Sequence, residues 1–227
     1  MPSEEYIQPL CPTCPVQPVT VPVNGLSLMG DLCVPPEPKG LVVFAHGSGS
    51  SRLSPRNTFV ANALNHRRIA TLLIDLLTEE EDEVDERTRE YRFDIPRLAG
   101  RLVKIGDWAV TQTAMCGVKL GYFGASTGAA AALEAAADRP NSVAAVVSRG
   151  GRPDLAARRL ADVRAPTLLI VGEKDVQVFL WNKAALELLN EQSRLELVPG
   201  ATHLFEEPGA LETVVQLAAG WFEEHFK

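Results

Sequence analysis

Five near-continuous apolar runs punctuate the chain: Leu41 to Ala45, Ile69 to Ile74, Val118 to Phe123, Val143 to Val147 and Thr167 to Val171. Runs that do not alternate with polar residues mark strands buried on both faces, as in parallel sheets covered by helices. A shorter run, Leu195 to Val198, reads as a last strand. Upstream, Val19 to Val23 and Leu26 to Val34 flank Asn24 and Gly25, a pair that favours a tight hairpin turn. Between the later strands the apolar period becomes helical, as in Leu98, Leu102, Ile105 and Ala109, and again in Leu211, Val214, Val215, Ala218 and Phe222. Ser54 and Pro55 supply an N-cap and a first helical position for a helix to about Asn65. This alternation predicts a doubly wound α/β domain, a mostly parallel sheet flanked by helices, with an antiparallel hairpin at its start. Ligands of such a sheet bind at the C-terminal ends of its strands. The short connection from Val147 to Thr167 leaves no room for a large cap, so the pocket should be shallow and the substrate small.

Residues 1–18 carry several prolines and little periodicity and read as an extended leader; residues 19–227 read as one domain. One segment breaks the α/β rhythm. Glu79 to Asp94 (EEEDEVDERTREYRFD) is charge-dense and follows a strand end, which fits an exposed helix or solvated loop with paired charges, or a small mobile flap over the site.

At 227 residues, 46% of them hydrophobic, the chain has enough apolar side chain for one sizeable core. Its net charge of −7 argues against the basic face that nucleic acid requires. No segment approaches the roughly 20 apolar residues of a membrane span, and the N-terminus has neither the basic nor the apolar region of a secretory signal. A cytoplasmic protein is expected. Cys11 and Cys14 form a CxxC, while Cys33 and Cys116 stand apart. Zinc would need further ligands at set spacing, so no metal or other cofactor is expected. The thiols read as reduced and incidental, which suits a cytosolic compartment.

The chemistry centres on Gly124, Ala125, Ser126, Thr127 and Gly128, a GxSxG between the apolar run ending at Phe123 and the alanine-rich Ala129 to Ala137. With glycine at roughly 7% of residues, a bare GxSxG arises by chance about once in ten or more chains of this size. The strand-turn-helix context makes accident less plausible, because that is what a nucleophile elbow needs. A serine hydroxyl is a weak nucleophile at neutral pH and requires a base, itself held by an acid. Downstream of Ser126 stand two histidines: His203 in the loop PGATHLFEEP, and His225 near the C-terminus. His203 is the expected base, with capping of the last helix as its bland alternative. Asp175, in VGEKD after a strand, is the expected acid; Asp154 and Glu173 are alternatives, and a helix N-cap is the bland role for each. The oxyanion needs two N–H donors. Thr127, opening the helix after the nucleophile, supplies one; Ser48 in the loop His46-Gly47-Ser48-Gly49 supplies the second, with Gly49 as alternative. His46 is read as structural. Arg52, Arg149 and Arg152, with Arg56 nearby, are candidates to bind a substrate carboxylate, against ordinary surface salt bridges.

HGSG after one strand, GASTG after another, GEKD after a third and GATH before the last helix together resemble the α/β-hydrolase fold, and the capless chain resembles its dienelactone-hydrolase-like branch. The resemblance covers residues 25–225. It implies a hydrolase acting on small carboxylic esters, lactones or thioesters through an acyl-enzyme. Dienelactone hydrolases proper carry a cysteine nucleophile where this chain has Ser126, so a general carboxylester hydrolase is the expected activity. Amidase or peptidase chemistry on the same residues, and a binding module that kept the fold without turnover, are the alternatives. The expected partners are a small-molecule ester and a second copy of the chain in a homodimer. The resemblance alone adds a phosphoribosyltransferase, because some relatives are fused to one or encoded beside one.

Overall fold

The computed structural model describes residues 14–112, 115 and 117–227. Cys11, Cys116 and most of the expected leader lie outside the described residues.

Strands β1 (Gln17–Val23) and β2 (Leu26–Cys33) form an antiparallel hairpin whose turn residues, Asn24 and Gly25, both have positive φ. Strand β1 starts two residues inside the segment expected to be leader. The hairpin is followed by β3 (Gly40–Ala45), α1 (Pro55–His66), β4 (Ile69–Ile74), α2 (Glu79–Thr88), α3 (Ile95–Val110), β5 (Lys119–Ala125) and α4 (Thr127–Asp138). Then come β6 (Val143–Arg149), a 3-10 helix over Pro153–Asp162, β7 (Thr167–Gly172), α5 (Val176–Leu186), β8 (Arg194–Val198) and α6 (Ala210–His225). The eight strands make one sheet in the order β1-β2-β4-β3-β5-β6-β7-β8, parallel from β4 to β8. Strands β3, β4 and β7 are buried at every position, in keeping with their unbroken apolar runs.

Two cores sandwich the sheet. On one face Leu41, Val43, Leu72 and Tyr122 pack with Leu98, Leu102 and Ile105 of α3 and the alanines of α4. On the other, Val42, Phe44, Phe123 and Ile170 pack with Val60 and Leu64 of α1 and with Val214, Ala218 and Phe222 of α6. From β3 the chain winds outward through α1 to β4; it then returns to β5 on the opposite side of β3. The strand order therefore reverses between β3 and β5, and the loops at their C-terminal ends diverge around a crevice at this switch point. The loop 46–49 after β3 and the turn at Ser126 after β5 both emerge there.

Cys14 and Cys33 are joined by a disulfide. The expectation of reduced, incidental thiols is corrected for this pair, and with it goes the support that free thiols lent to a cytosolic compartment. The cause is the hairpin register: Gln17 pairs with Leu32, so the residues before β1 run alongside the end of β2 and bring the two Cα atoms to 5.9 Å. Among the described residues no helix is long and apolar enough to cross a membrane.

Glu79 to Asp94 contains a defined helix held by charge pairs. Thr78 and Glu81 form a reciprocal capping box at the start of α2, Glu81 pairs with Arg101 of α3, and the buried Asp85 pairs with Arg92.

Candidate active site

Ser126 sits at the turn between β5 and α4 with φ 51° and ψ −120°, a region that side-chain-bearing residues avoid at a cost of about 1–3 kcal/mol. The surroundings hold it there. Its amide donates to the Arg149 carbonyl (3.2 Å), and its carbonyl accepts from the amides of Arg152 (3.0 Å) and Ala129 (3.1 Å). Gly124 and Gly128 permit the turn by close approach: a side chain at 124 would run into the Ala129 backbone, and one at 128 into the Ala45 and His46 carbonyls.

The imidazole of His203 meets Asp175, Nδ1 to Oδ2 at 2.6 Å. Asp175 occupies the N-cap position of α5, yet its side chain makes no capping bond and turns to the histidine instead. A carboxylate at Nδ1 fixes the proton on that nitrogen and leaves the Nε2 lone pair available. Gly150, with φ +52°, lies against the ring; a Cβ there would stand 3.4 Å from Cε1 and Nδ1. The turn 149–152 thus touches Ser126 through its backbone and the His203 ring through Gly150. The other candidates are occupied elsewhere. Asp154 pairs with Arg152, Glu173 accepts from the Gly200 amide (2.7 Å), and His225 bonds the Trp221 carbonyl in the last turn of α6.

The loop 46–49 passes beside the turn at Ser126, where a Cβ on Gly47 would lie 3.2 Å from Ser126 Cβ. The Ser48 amide does not stand free: it donates to Thr127 Oγ1 at 2.8 Å. Gly49 faces Arg92. His46 is a clamp for this loop. Its Nδ1 bonds the Gly47 carbonyl (2.9 Å) and its Nε2 accepts from the Leu76 amide (3.1 Å), while packing of the ring away from water lowers its pKa and keeps it neutral.

Arg52 pairs with Asp75 (2.5 Å) and Asp31 (3.3 Å); Arg152 pairs with Asp154 and stacks on Trp181 at 4.1 Å. Arg149 differs. Its guanidinium is buried, Nη1 has no hydrogen-bond partner among the described residues, and burial, with Arg56 nearby, pulls its pKa down to about 10. It stays cationic at neutral pH.

Recesses flank the loop 46–50 among the described residues. One of about 370 Å³ is bounded by His46, Arg52, Asp75, Thr78 and Asp82, and by no triad candidate. An open one of about 330 Å³ lies between Ser54, Asp82 and Glu86. A slot of about 20 Å³ runs along Gly47, Ser48 and Gly49 to Thr127 and is likewise bounded by none of Ser126, Asp175 and His203. Thr127's side chain and the Gly150 contact went unread in the sequence, where a threonine at a helix start and a glycine in a loop carry no special pattern.

No family model matches the chain. It is 55% identical over 207 residues, 91% of its length, to a Mycobacterium tuberculosis protein provisionally named a phosphoribosyl transferase. The chain spans about half the length (46%) of the curated relatives it matches. Against a dienelactone hydrolase from Anabaena variabilis it is 55% identical with a TM-score of 0.92, covering 95% of this chain and 100% of that one. A Pyrococcus furiosus esterase, at 13% identity, shares the fold with a TM-score of 0.76 over 94% of this chain and 92% of its own.

Proposed function

The chain belongs to the dienelactone-hydrolase-like branch of the α/β-hydrolase superfamily, and we propose that it is a serine hydrolase cleaving small carboxylic esters, lactones or thioesters through an acyl-enzyme. The observation that carries this reading is the His203–Asp175 pair at 2.6 Å, which shares the turn 149–152 with a serine in an elbow conformation. Ser126 Oγ attacks the carbonyl carbon and gives its proton to His203 Nε2. Asp175 stabilises the imidazolium, which then protonates the leaving group; water repeats the sequence to release the acid. The oxyanion is held at the N-terminus of α4 by the Thr127 amide, where the helix dipole also favours negative charge.

Substrate size follows from exposure. The His203 side chain is 41% exposed. The exposed Val176, Leu204 and Leu53 adjoin Asp175, His203 and the oxyanion loop in sequence, which supports a short apolar acyl or alkoxy group. Arg52 and Arg152 already have carboxylate partners, and the Arg149 guanidinium is buried, so none of the three stands open to a substrate carboxylate. The transferase name describes relatives about twice as long. We keep a phosphoribosyl transferase as a proposed partner on that half-length match alone.

Ser126→Ala should abolish turnover of p-nitrophenyl esters and labelling by a fluorophosphonate. Labelling that persists in the variant would overturn the assignment.

A further inference from the structure

Resting on the serine-hydrolase reading, we propose that the Thr127 hydroxyl is itself an oxyanion donor, with the Ser48 amide acting through it: Ser48 N–H to Thr127 Oγ1, and Thr127 O–H to the oxyanion. A hydroxyl has one proton to donate and two lone pairs with which to accept. The Ser48 amide, at 2.8 Å, fills an accepting role. The donating role has no acceptor among the described residues, although Thr127 is only 3% exposed.

Thr88 of α2, Thr213 of α6 and Thr111, the C-cap of α3, donate to the carbonyls of Val84, Gly209 and Trp108, three or four residues back. Thr127 is the first residue of α4, where the residues behind it belong to a strand and its elbow, so that outlet is missing. Thr127 lines a narrow slot whose other walls are the loop 46–50 and, from the α2 side, Leu76, Asp85, Arg92 and Leu98. A donor that is already accepting an amide bond is polarised toward stronger donation. Thr127 would then serve twice, through its backbone N–H and its side-chain O–H, and no proton leaves Oγ1 in the reaction.

The same contact has a contrary reading, in which the hydroxyl merely blocks the Ser48 amide. The two are separated by Thr127→Val, which keeps the shape and removes the hydroxyl, compared with Thr127→Ser. The readouts on the full chain are kcat and KM for a p-nitrophenyl ester and the affinity of an alkyl boronic acid, whose tetrahedral adduct mimics the oxyanion. Loss of one oxyanion donor lowers kcat by about 10²–10³-fold. Thr127→Val should show a loss of that order with KM little changed and a parallel fall in boronate affinity, and Thr127→Ser should recover most of both. If the valine variant does not fold, Thr127→Ala carries the same expectation.

A valine or alanine variant as fast as wild type, or faster, overturns the relay. So does a serine variant as slow as the valine one, since the methyl group would then be the part that matters. If wild type is labelled by a fluorophosphonate at Ser126 while these outcomes occur, the relay alone has failed. If wild type is not labelled, the hydrolase reading has failed and takes the relay with it.

Discussion

The loops after β5, β6 and β7 are joined by backbone, whereas the α2 side of the site is joined by charge. On the first side Ser126 exchanges main-chain bonds with Arg149 and Arg152, Gly150 donates to Ile170, Glu173 to Val198, and Lys174 to Ala201. None of these depends on side-chain identity, ionic strength or pH. On the second, Glu81 takes two bonds from Arg101 (2.6 and 2.7 Å), and Asp85 accepts from the Arg92 guanidinium (2.5 Å) and from the Tyr91 and Arg92 amides. Such pairs fail when one partner is lost or neutralised. Substitutions on the first side should therefore read out as lost chemistry with little lost stability, and those on the second as the reverse.

The largest separation is expected at Asp175. In the serine-protease template the matching Asp to Asn change costs about 10⁴-fold in kcat through the wrong histidine tautomer. Asp175→Asn should approach that loss with a thermal midpoint close to wild type. Asp154→Asn breaks a half-buried pair with Arg152 that makes no contact with His203 and should leave kcat nearly unchanged. If Asp154→Asn proves the damaging change, the acid has been misplaced and the division between the two sides with it.

Glu81→Gln tests the other side. Arg101 is buried and would keep its bond to the Leu76 carbonyl and at most one to the amide oxygen of the new side chain, so a guanidinium with no facing negative charge should cost about 3 kcal/mol of unfolding free energy in urea. At a temperature where the variant is folded, kcat should stay within a few-fold of wild type. Acid gives the same test without mutation. Burial raises the pKa of Glu81 and of Asp85, but the bonds from Arg101 and Thr78, and from Arg92 and Tyr91, outweigh it and hold both carboxyls below their ordinary values. A folded pKa below the unfolded one means stability fully present above the unfolded pKa, about 4, and lost as pH falls through the folded one. Glu81→Gln should flatten that acid loss; an unchanged slope would show that the pair contributes little.

This division also explains what could be read from the sequence. Strands such as Ile69–Ile74 were legible because burial on both faces leaves an unbroken apolar run. Asp175 and His203 were legible as neighbours because each follows a strand whose place in the sheet was itself legible. Helix α2 was ambiguous because Asp85 is its one fully buried residue, and the partners that fix it, Arg92 and Arg101, lie outside it. The disulfide was misread for a related reason. A CxxC draws attention to Cys11 and Cys14, but the hairpin register brings Cys14 to Cys33. The Thr127 hydroxyl depends on a rotamer and on a loop 79 residues away in the chain, and neither leaves a mark in local pattern.

The smallest effect expected is at Thr78, where the two kinds of support for α2 meet. The Thr78 hydroxyl accepts from the Glu81 amide (3.3 Å), and the Glu81 carboxylate accepts from the Thr78 amide (3.0 Å). Thr78→Ala removes a cap worth about 1 kcal/mol and should raise hydrogen exchange in the first turn of α2 without altering kcat. Glu81 is the reciprocal member of this box and also the partner of Arg101, so the two supports share one side chain. Neutralising Glu81 weakens its bond to the Thr78 amide and frees the end of the helix from α3. In a Glu81→Gln background, Thr78→Ala should therefore cost less than it does alone, a coupling measurable by a double-mutant cycle in urea. Strict additivity would mean that the cap and the ion pair act independently, and that α2 is held at two points instead of through one carboxylate.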